Sequence, residues 1–275
     1  EVEDVINTAD KFENIVVGEI KEVNDHPNAD ALKCCIVDCG EDELKQIVCG
    51  GSNLYAGEKV VVSKPGAYVY WHGDSELVLI KESKLRGEPS YGMICGATEV
   101  YMDALFPPAS ETEIVDLSDF DCYPGQNVAE VIGMNDIVLE VDNKSLTNRP
   151  DLWGHYGVAR EIAAIYELEL KPLPELKLDP ATPEYKVTIH DTDRCPRYAA
   201  VEIENVYQKE APLWMKSLII NGGMRPINAI VDITNYVMMA VGQPEHAFDR
   251  THVEGEHTNV RVAKAAEPLT LLDRS

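Results

Sequence analysis

Long apolar runs are missing from this sequence. It holds no stretch of about 18 consecutive apolar residues, and its first residues lack the basic-then-apolar pattern of a secretory leader. These absences exclude an obvious membrane-spanning helix and predict no membrane partner. With 275 residues and 45% hydrophobic content, the chain is long enough for two or three domains with cores of their own.

Positive charge is also scarce. The chain has 24 Lys and Arg residues against 48 Asp and Glu residues, which gives a formal net charge of -24. Such a field repels nucleic acid, so any contact with phosphate needs a local group of cations or another part of a larger assembly. The balance counts against a free-standing nucleic-acid-binding protein.

Paired cysteines are the third absence. The seven cysteines are an odd number and show no CxxC pairs, so they predict neither a disulfide framework nor a structural zinc site. Cys34, Cys35, Cys39 and Cys49 form a loose cluster that leaves thiolate metal ligation open as an alternative. Reduced thiols with no bound metal are the favoured interpretation, and they predict a cytoplasmic protein.

Short β-branched segments separated by turn residues fill the chain from Ile15 to Leu117. Turns are predicted at Pro65-Gly66 and His72-Gly73-Asp74. The spacing is typical of a small all-β barrel. The predicted strands are Ile15–Ile20, Leu32–Asp38, Leu44–Val48, Lys59–Ser63, Leu77–Ile80 and Met93–Cys95.

The character changes after the predicted barrel. Asp136–Val141 alternates like a strand, and Val158–Tyr166 predicts a helix with Val158, Ile162 and Ile165 on one face. A proline-rich linker follows, with Lys171–Pro174 and then Pro180 and Pro183.

Strands and helices alternate beyond the linker. Tyr185–Ile189 and Tyr198–Glu204 predict strands, and a helix is expected after Pro212 that stops at Asn221-Gly222-Gly223. A second helical or buried segment runs from Ile227 to Met239.

Four segments in the barrel carry a resemblance. Together these segments resemble the tRNA-binding OB domain of free-standing tRNA-binding proteins and of some synthetases. They are Val16–Ile20, His26–Leu32, Ile47–Asn53 and Ser83–Cys95. The last segment combines glycines with cations that can meet phosphate. The candidates for backbone contact are Lys33, Lys64, Lys84 and Arg86, and those for base stacking are Tyr55, Tyr68 and Tyr91.

Three later motifs extend the resemblance to nearly the whole chain. The motifs are Asn148–Asp151, Arg225–Tyr236 and Gly242–Asp249. Their order after an OB domain resembles that in the bacterial phenylalanyl-tRNA synthetase β subunit family. The resemblance implies an α+β multidomain fold, in which an OB-fold β-barrel is inserted in a small α/β domain and an α+β editing domain follows. The implied domains are a split N-terminal domain (1–12 and 126–172, with most of its first part missing), the OB domain (13–125) and the start of the editing domain (183–275).

The family's editing pocket hydrolyses tyrosine wrongly attached to tRNA(Phe). The resemblance implies that Thr234, Asn235, Pro244 and His246 line this pocket, with Arg225 nearby. Neutral polar groups suit a site that hydrogen-bonds a phenolic hydroxyl and rejects phenylalanine, and a held water is the expected attacking group. The family's pocket also uses a glycine-rich stretch and a glutamate beyond Ser275.

The resemblance also implies partners and cofactors. The β subunit works with an α subunit in an (αβ)2 heterotetramer that charges tRNA(Phe) with phenylalanine, using ATP and Mg2+. No Walker-type glycine-rich loop or clustered acidic metal site occurs in this sequence. Aminoacylation is therefore assigned to the α subunit, with no cofactor expected on this segment and no catalytic residue for aminoacylation within it.

Several alternatives remain open. Thr234-Asn235 can be a helix cap or turn, His246 a structural histidine, and Gln243-Pro244 a simple turn. Arg149 can contact RNA or another subunit, although anchoring of its turn, with Asp151 capping the next helix, is favoured. The whole chain can also be a non-catalytic tRNA-binding or assembly module whose editing activity is lost.

Overall fold

The computed structural model describes residues 1–71, 76–177 and 185–270. The turn predicted at His72–Asp74 and the prolines at 180 and 183 lie outside these ranges. The strands are β1 (Val2–Asn7), β2 (Ile15–Asp25), β3 (Lys33–Asp38), β4 (Lys45–Cys49), β5 (Lys59–Ser63), β6 (Tyr68–Tyr70), β7 (Leu77–Leu79), β8 (Ser83–Leu85), β9 (Glu88–Ser90), β10 (Met93–Ile94), β11 (Ile137–Val141), β12 (Lys186–Ile189) and β13 (His257–Val260). The α-helices are α1 (Val128–Val131), α2 (His155–Tyr166), α3 (Leu213–Asn221) and α4 (Ala229–Val241).

A five-stranded antiparallel sheet curls into a nearly closed barrel, in the order β10-β5-β2-β3-β4. Its two edges meet where the backbone N–H of Tyr91 donates to the carbonyl of Gln46 at 2.9 Å. The backbone N–H of Val48 donates to Ser90 Oγ at 3.0 Å on the same seam. A register shift between Ile20 and Glu22 lets the long strand β2 bend around the barrel. The predicted OB-like barrel is confirmed, with five of the six predicted strands close to their predicted positions. The sixth, Leu77–Ile80, corresponds to β7, which pairs with β6 outside this sheet.

Apolar side chains fill the inside of the barrel and a second layer beneath it. The inner cluster includes Ile20, Val37 and Ile47, each fully buried. Gly92 lets β10 approach β5, because a Cβ there would lie 2.4 Å from the carbonyl oxygen of Ser63. The second cluster joins barrel residues to the segments on either side of it, including Phe12, Val17, Leu117, Val128 and Ile132.

The segments before and after the barrel meet in a two-stranded ribbon. Strand β1 pairs antiparallel with β11, and the amino group of Glu1 donates to the carbonyl of Asp142 at 2.8 Å. Thr8 ties the same two segments together, because its hydroxyl donates to the carbonyl of Met134 at 2.5 Å. The division of the chain into domains stays a prediction.

The region after the linker has a small core. Helices α3 and α4 pack through Met215 and Ile219, with the rings of Trp214 and Tyr236 5.4 Å apart. Strand β12 pairs parallel with β13. The two predicted helical segments are confirmed, but the predicted strand at Tyr198–Glu204 is wrong. That stretch is exposed and forms no ladder with another described strand, so its apolar residues alone did not specify a partner.

Candidate functional site

The β8–β9 hairpin displays two of the predicted phosphate-binding cations. Leu85 pairs with Glu88, so Arg86 and Gly87 form a two-residue turn. Both have positive φ, +50° and +102°, as the favoured tight hairpin turns require. Lys84 lies on β8 opposite Pro89, and both cations are exposed. The turn therefore holds two positive side chains at the tip of a short, projecting hairpin.

The loop after β2 holds this hairpin tip. His26 Nε2 lies 3.0 Å from the carbonyl oxygen of Leu85, and Asn28 Nδ2 donates to the carbonyl of Arg86 at 3.2 Å. His26 Nδ1 accepts the backbone N–H of Asn28 at 3.1 Å, so the ring proton sits on Nε2 and points to Leu85. Two segments quoted for their resemblance, His26–Leu32 and Ser83–Cys95, thus form one structural unit. A role for His26 or Asn28 was not predicted from the sequence, because no local pattern reveals a contact across 58 residues or more.

The other two predicted cations are already paired. Lys33 forms an ion pair with Asp25, whose hydrogen bond raises the pKa of Lys33. Lys64 Nζ lies 3.3 Å from Glu41. Among residues 1–71, 76–177 and 185–270, no carboxylate forms an ion pair with Lys84 or Arg86. These two are therefore better placed than Lys33 and Lys64 to neutralise a phosphate.

Glu41 is the centre of a polar cluster that also fixes Tyr91. The hydroxyl of Tyr91 donates to Glu41 at 2.9 Å, and Lys45 lies over the ring at 4.9 Å. Burial raises the pKa of Glu41, but hydrogen bonds from Tyr91, Lys45 and Lys64 outweigh it and lower that pKa. Burial and Glu41 raise the pKa of Tyr91 to about 12. Tyr91 is thus held in place, whereas Tyr68 is exposed on β6.

Tyr55 is exposed but also hydrogen-bonded. Its hydroxyl donates to Asp116 at 3.0 Å, close to the buried carboxyl of Glu58. Burial raises the pKa of Glu58 to about 7, despite a hydrogen bond from the backbone of Tyr55, and Asp116 adds to the rise. Glu58 Oε1 has no hydrogen-bond partner among the described residues. Glu58 therefore changes its charge near neutral pH, and it was not singled out in the sequence.

The clustered cysteines Cys35, Cys39 and Cys49 are buried in the core of the barrel. Burial raises the pKa of Cys35 and Cys39 to about 12 and that of Cys49 to about 11, which keeps these thiols protonated. Within the described part of the chain, no group of three or more His, Cys, Asp or Glu side chains could hold a metal ion.

The predicted editing residues Thr234 and Asn235 lie in the middle of α4. Asn228 caps this helix by accepting the backbone N–H groups of Ile230 and Val231, each at 3.1 Å. The alternative that Thr234-Asn235 forms a cap or turn is therefore wrong. The hydroxyl of Thr234 donates to the carbonyl of Val231 at 2.8 Å, within its own helix.

The other predicted editing residues are exposed. Arg225 lies in the segment between α3 and α4, and Pro244 and His246 follow Gly242 at the end of α4. The ring of His246 lies 6.3 Å from that of Phe248. No hydrogen bond or ring contact among the described residues joins these three to Thr234 or Asn235. Their grouping in one pocket stays a prediction.

Asp232 has a fully buried side chain and was not among the residues predicted for the site. Its Oδ1 accepts the backbone N–H of Ile227 at 2.8 Å, which fixes the segment leading from Arg225 into α4. Its Oδ2 has no partner among the residues described. A carboxylate in the first turn of a helix was a readable signal, because it complements the helix dipole.

Arg149 anchors its own turn. It forms two hydrogen bonds with Asp151, at 3.0 and 2.9 Å, and a third with Glu161 on α2 at 2.9 Å. Arg160 also contacts Asp151, and the two guanidinium groups hold the pKa of that carboxyl well below its usual range. The predicted anchoring is confirmed. The predicted cap is wrong, because Gly154 is the N-cap of α2 and Asp151 lies in the preceding turn.

Comparison with known proteins agrees with this arrangement. Residues 15–117 match the family model described as "Putative tRNA binding domain", and residues 194–275 match that of the B3/4 domain. The chain thus combines a tRNA-binding OB-like barrel with a B3/4 domain. None of the helices in the described ranges is both long and apolar enough to cross a membrane.

The sequence is also similar along nearly its whole length to phenylalanine–tRNA ligase beta subunits. It is 40% identical to that of Lactiplantibacillus plantarum over 99% of this chain and 34% of the relative. The identity is 38% for Staphylococcus haemolyticus (100% and 34%) and 42% for Francisella tularensis (97% and 32%). The chain is a homologue of the N-terminal portion of phenylalanine–tRNA ligase beta subunits, and it spans about a third of the length of these relatives.

Proposed function

We propose that this chain acts within a phenylalanine–tRNA ligase β subunit, where it binds tRNA(Phe) and helps to hydrolyse tyrosine wrongly attached to it. The observation that carries this proposal is the 40% identity over 99% of the chain. The tRNA-binding and B3/4 matches lie along the chain in the order that the proposal requires. The barrel supplies the tRNA contact, and the region after the linker supplies the editing site.

The hairpin tip is the tRNA-contacting part of the barrel in this proposal. Lys84 and Arg86 are exposed on a turn that His26 and Asn28 hold in place. With a net charge of -24, the chain as a whole repels RNA, so these contacts act locally. Affinity should then be shared with other parts of the enzyme and fall as the salt concentration rises.

The editing site uses neutral polar groups. We assign its lining to Thr234, Asn235, Pro244 and His246, with Arg225 beside it. A hydrogen bond to the phenolic hydroxyl selects tyrosine, because phenylalanine would leave the same polar groups unpaired. A water molecule held against the ester is the attacking group, since none of these side chains is an activated nucleophile.

The rest of the enzyme completes the activity. An α subunit would activate phenylalanine with ATP and Mg2+ in an (αβ)2 assembly in the cytoplasm, while β binds tRNA and edits. A second candidate is an assembly and tRNA-binding module without editing. It is favoured by one observation, the exposure of Pro244 and His246 away from any described contact with Thr234.

Hydrolysis of tyrosyl-tRNA(Phe) and phenylalanyl-tRNA(Phe) by the full αβ enzyme distinguishes the two candidates. The editing proposal predicts rapid loss of the tyrosyl ester alone, slowed about tenfold or more in His246→Ala because a positioned polar group is lost. His252→Ala is the matched control, since His252 is an exposed histidine of the same region. Equal, slow hydrolysis by wild type and His246→Ala would leave the assembly module.

A further inference from the structure

The turn before α2 meets the end of α4 at unusually close range. Gly154 is buried, and a Cβ on it would lie 2.2 Å from the backbone nitrogen of Gly242. A Cβ on Gly242 would in turn lie 3.1 Å from the nitrogen of Gly154 and 3.1 Å from the carbonyl oxygen of Pro150. Two backbones therefore touch where only glycine fits on either side.

His155 adds a specific hydrogen bond to this contact. Its Nδ1 lies 2.8 Å from the carbonyl oxygen of Met239. The carbonyl can only accept, so Nδ1 carries the proton and donates it. Met239 lies in the last turn of α4, where backbone carbonyls lack partners within the helix. His155 thus caps α4 from a distant part of the chain.

Helix polarity favours the same arrangement. Gly154 is the N-cap of α2, and Gly242, with φ of +76°, is the C-cap of α4. The partly positive start of one helix therefore lies against the partly negative end of the other. We call this contact of 153–155 with 239–242 the α2–α4 junction.

The position of the junction gives it a consequence for the site. Pro244 and His246 follow Gly242 by two and four residues, so the path of their backbone depends on where α4 ends. The Asn148–Asp151 motif also gains a purpose, because Arg149 and Arg160 hold the turn that presents Gly154 and His155. From these contacts we infer that Gly154 and His155 are positioning residues for the editing segment at 243–246.

This inference rests on the proposed editing function for its effect on activity, but the junction itself can be tested without it. Hydrogen exchange of the backbone amides at 239–242, the end of α4 from which the editing segment continues, is measured in the full αβ enzyme for wild type, Gly154→Ala and His155→Ala. Both variants should exchange faster in this segment and not in the barrel. Gly50→Ala is the glycine control, because its Cβ would make only ordinary contacts, the nearest at 3.5 Å.

Hydrolysis of tyrosyl-tRNA(Phe) by the same proteins gives the second measurement. The kcat should fall about tenfold or more in Gly154→Ala, because a small misplacement of positioned groups is costly. It should fall about fivefold in His155→Ala, the equivalent of one hydrogen bond, with KM nearly unchanged. His155→Asn should restore most of the kcat, because its amide nitrogen can occupy the place of Nδ1.

The outcomes separate the two claims. Unchanged exchange at 239–242 in both variants would overturn the positioning role, whatever the activity. No hydrolysis by wild type, together with faster exchange in the variants, would keep the junction and refute editing. If Gly154→Ala does not fold, the pair His155→Ala and His155→Asn decides, and equal kcat in that pair contradicts the inference.

Discussion

The barrel and the region after the linker differ in how much of their apolar surface they cover. In the barrel, five strands close around residues such as Ile20, Val37 and Ile47, all fully buried. In 185–270, the buried apolar cluster consists of Ala211, Met215 and Ile219. Ile203 there is 74% exposed. A closed sheet supplies its own partners, whereas helices and isolated strands need surfaces from elsewhere.

This difference in packing distinguishes the barrel, which acts as a scaffold, from the region that carries the proposed editing site. In the barrel, the hydrogen bonds of His26 and Asn28 fix the tip of the β8–β9 hairpin. The proposed editing residues lie on one helix and on exposed segments whose mutual contacts are not formed among the described residues. Stability is therefore concentrated in the barrel, and the proposed editing chemistry in the sparsely packed region.

A core substitution in the barrel should have the largest effect on stability. Ile20→Ala should lower the free energy of unfolding by about 3 kcal/mol, because it removes buried methyl groups from a closed cluster. The matched change Ile203→Ala should cost less than about 0.5 kcal/mol at an exposed position. Urea denaturation followed by circular dichroism measures both. Equal losses would contradict the contrast between the regions.

Removal of the buried Glu58 charge should have the next largest effect. Its folded pKa of about 7 lies above the unfolded value of 4.5, so folding favours the protonated form. The contribution to stability is complete below pH 4.5 and is lost as the pH rises through 7. The lost stability corresponds to roughly 3 kcal/mol across this pH window.

Glu58→Gln should therefore flatten the pH dependence of unfolding between pH 4.5 and pH 8. Glu22→Gln is the control, because Glu22 is exposed. The difference in unfolding free energy between each variant and wild type is measured at several pH values. A slope for Glu58→Gln equal to that of Glu22→Gln would show that Glu58 ionises normally in the folded protein.

Substitutions of the cations should have smaller effects, on tRNA binding. Lys84→Ala and Arg86→Ala should each weaken binding of tRNA(Phe) by the αβ enzyme up to about fivefold and reduce the salt dependence by about one phosphate contact. Lys33→Ala and Lys64→Ala should have less effect, because Asp25 and Glu41 already neutralise them. Filter binding over a range of salt concentrations measures both quantities. If the substitutions of Lys33 and Lys64 weakened tRNA binding more than those of Lys84 and Arg86, the RNA would lie on another face of the barrel.

The sequence predicted what depends on local signals. The β-branched runs between turn residues gave the barrel strands, and Asn221-Gly222-Gly223 gave the end of α3, because these signals act within a few residues. The helix at Val158–Tyr166 was also predicted, but its apolar face is exposed, with Ile165 66% accessible. Periodicity identifies a face without identifying what covers it.

Contacts between residues far apart along the chain could not be predicted from the sequence. Two examples are the hydrogen bond from Asn28 to the carbonyl of Arg86 and the close approach of Gly154 to Gly242. Both depend on tertiary packing that no local pattern encodes. Tyr198–Glu204 shows the opposite error, since a strand-like composition forms a strand only with a partner. The proposed pocket had the same weakness, because a shared motif names residues without fixing the distances between them.

Steady-state hydrolysis of tyrosyl-tRNA(Phe) by the αβ enzyme most directly tests the proposal that the barrel binds tRNA and the region after the linker edits. The doubly substituted barrel variant Lys84→Ala, Arg86→Ala should raise KM and leave kcat nearly unchanged, because it weakens tRNA binding only. His246→Ala should lower kcat and leave KM nearly unchanged. If the barrel variant keeps the wild-type KM while His246→Ala keeps the wild-type kcat, the proposed assignment of binding and editing to these two regions is wrong.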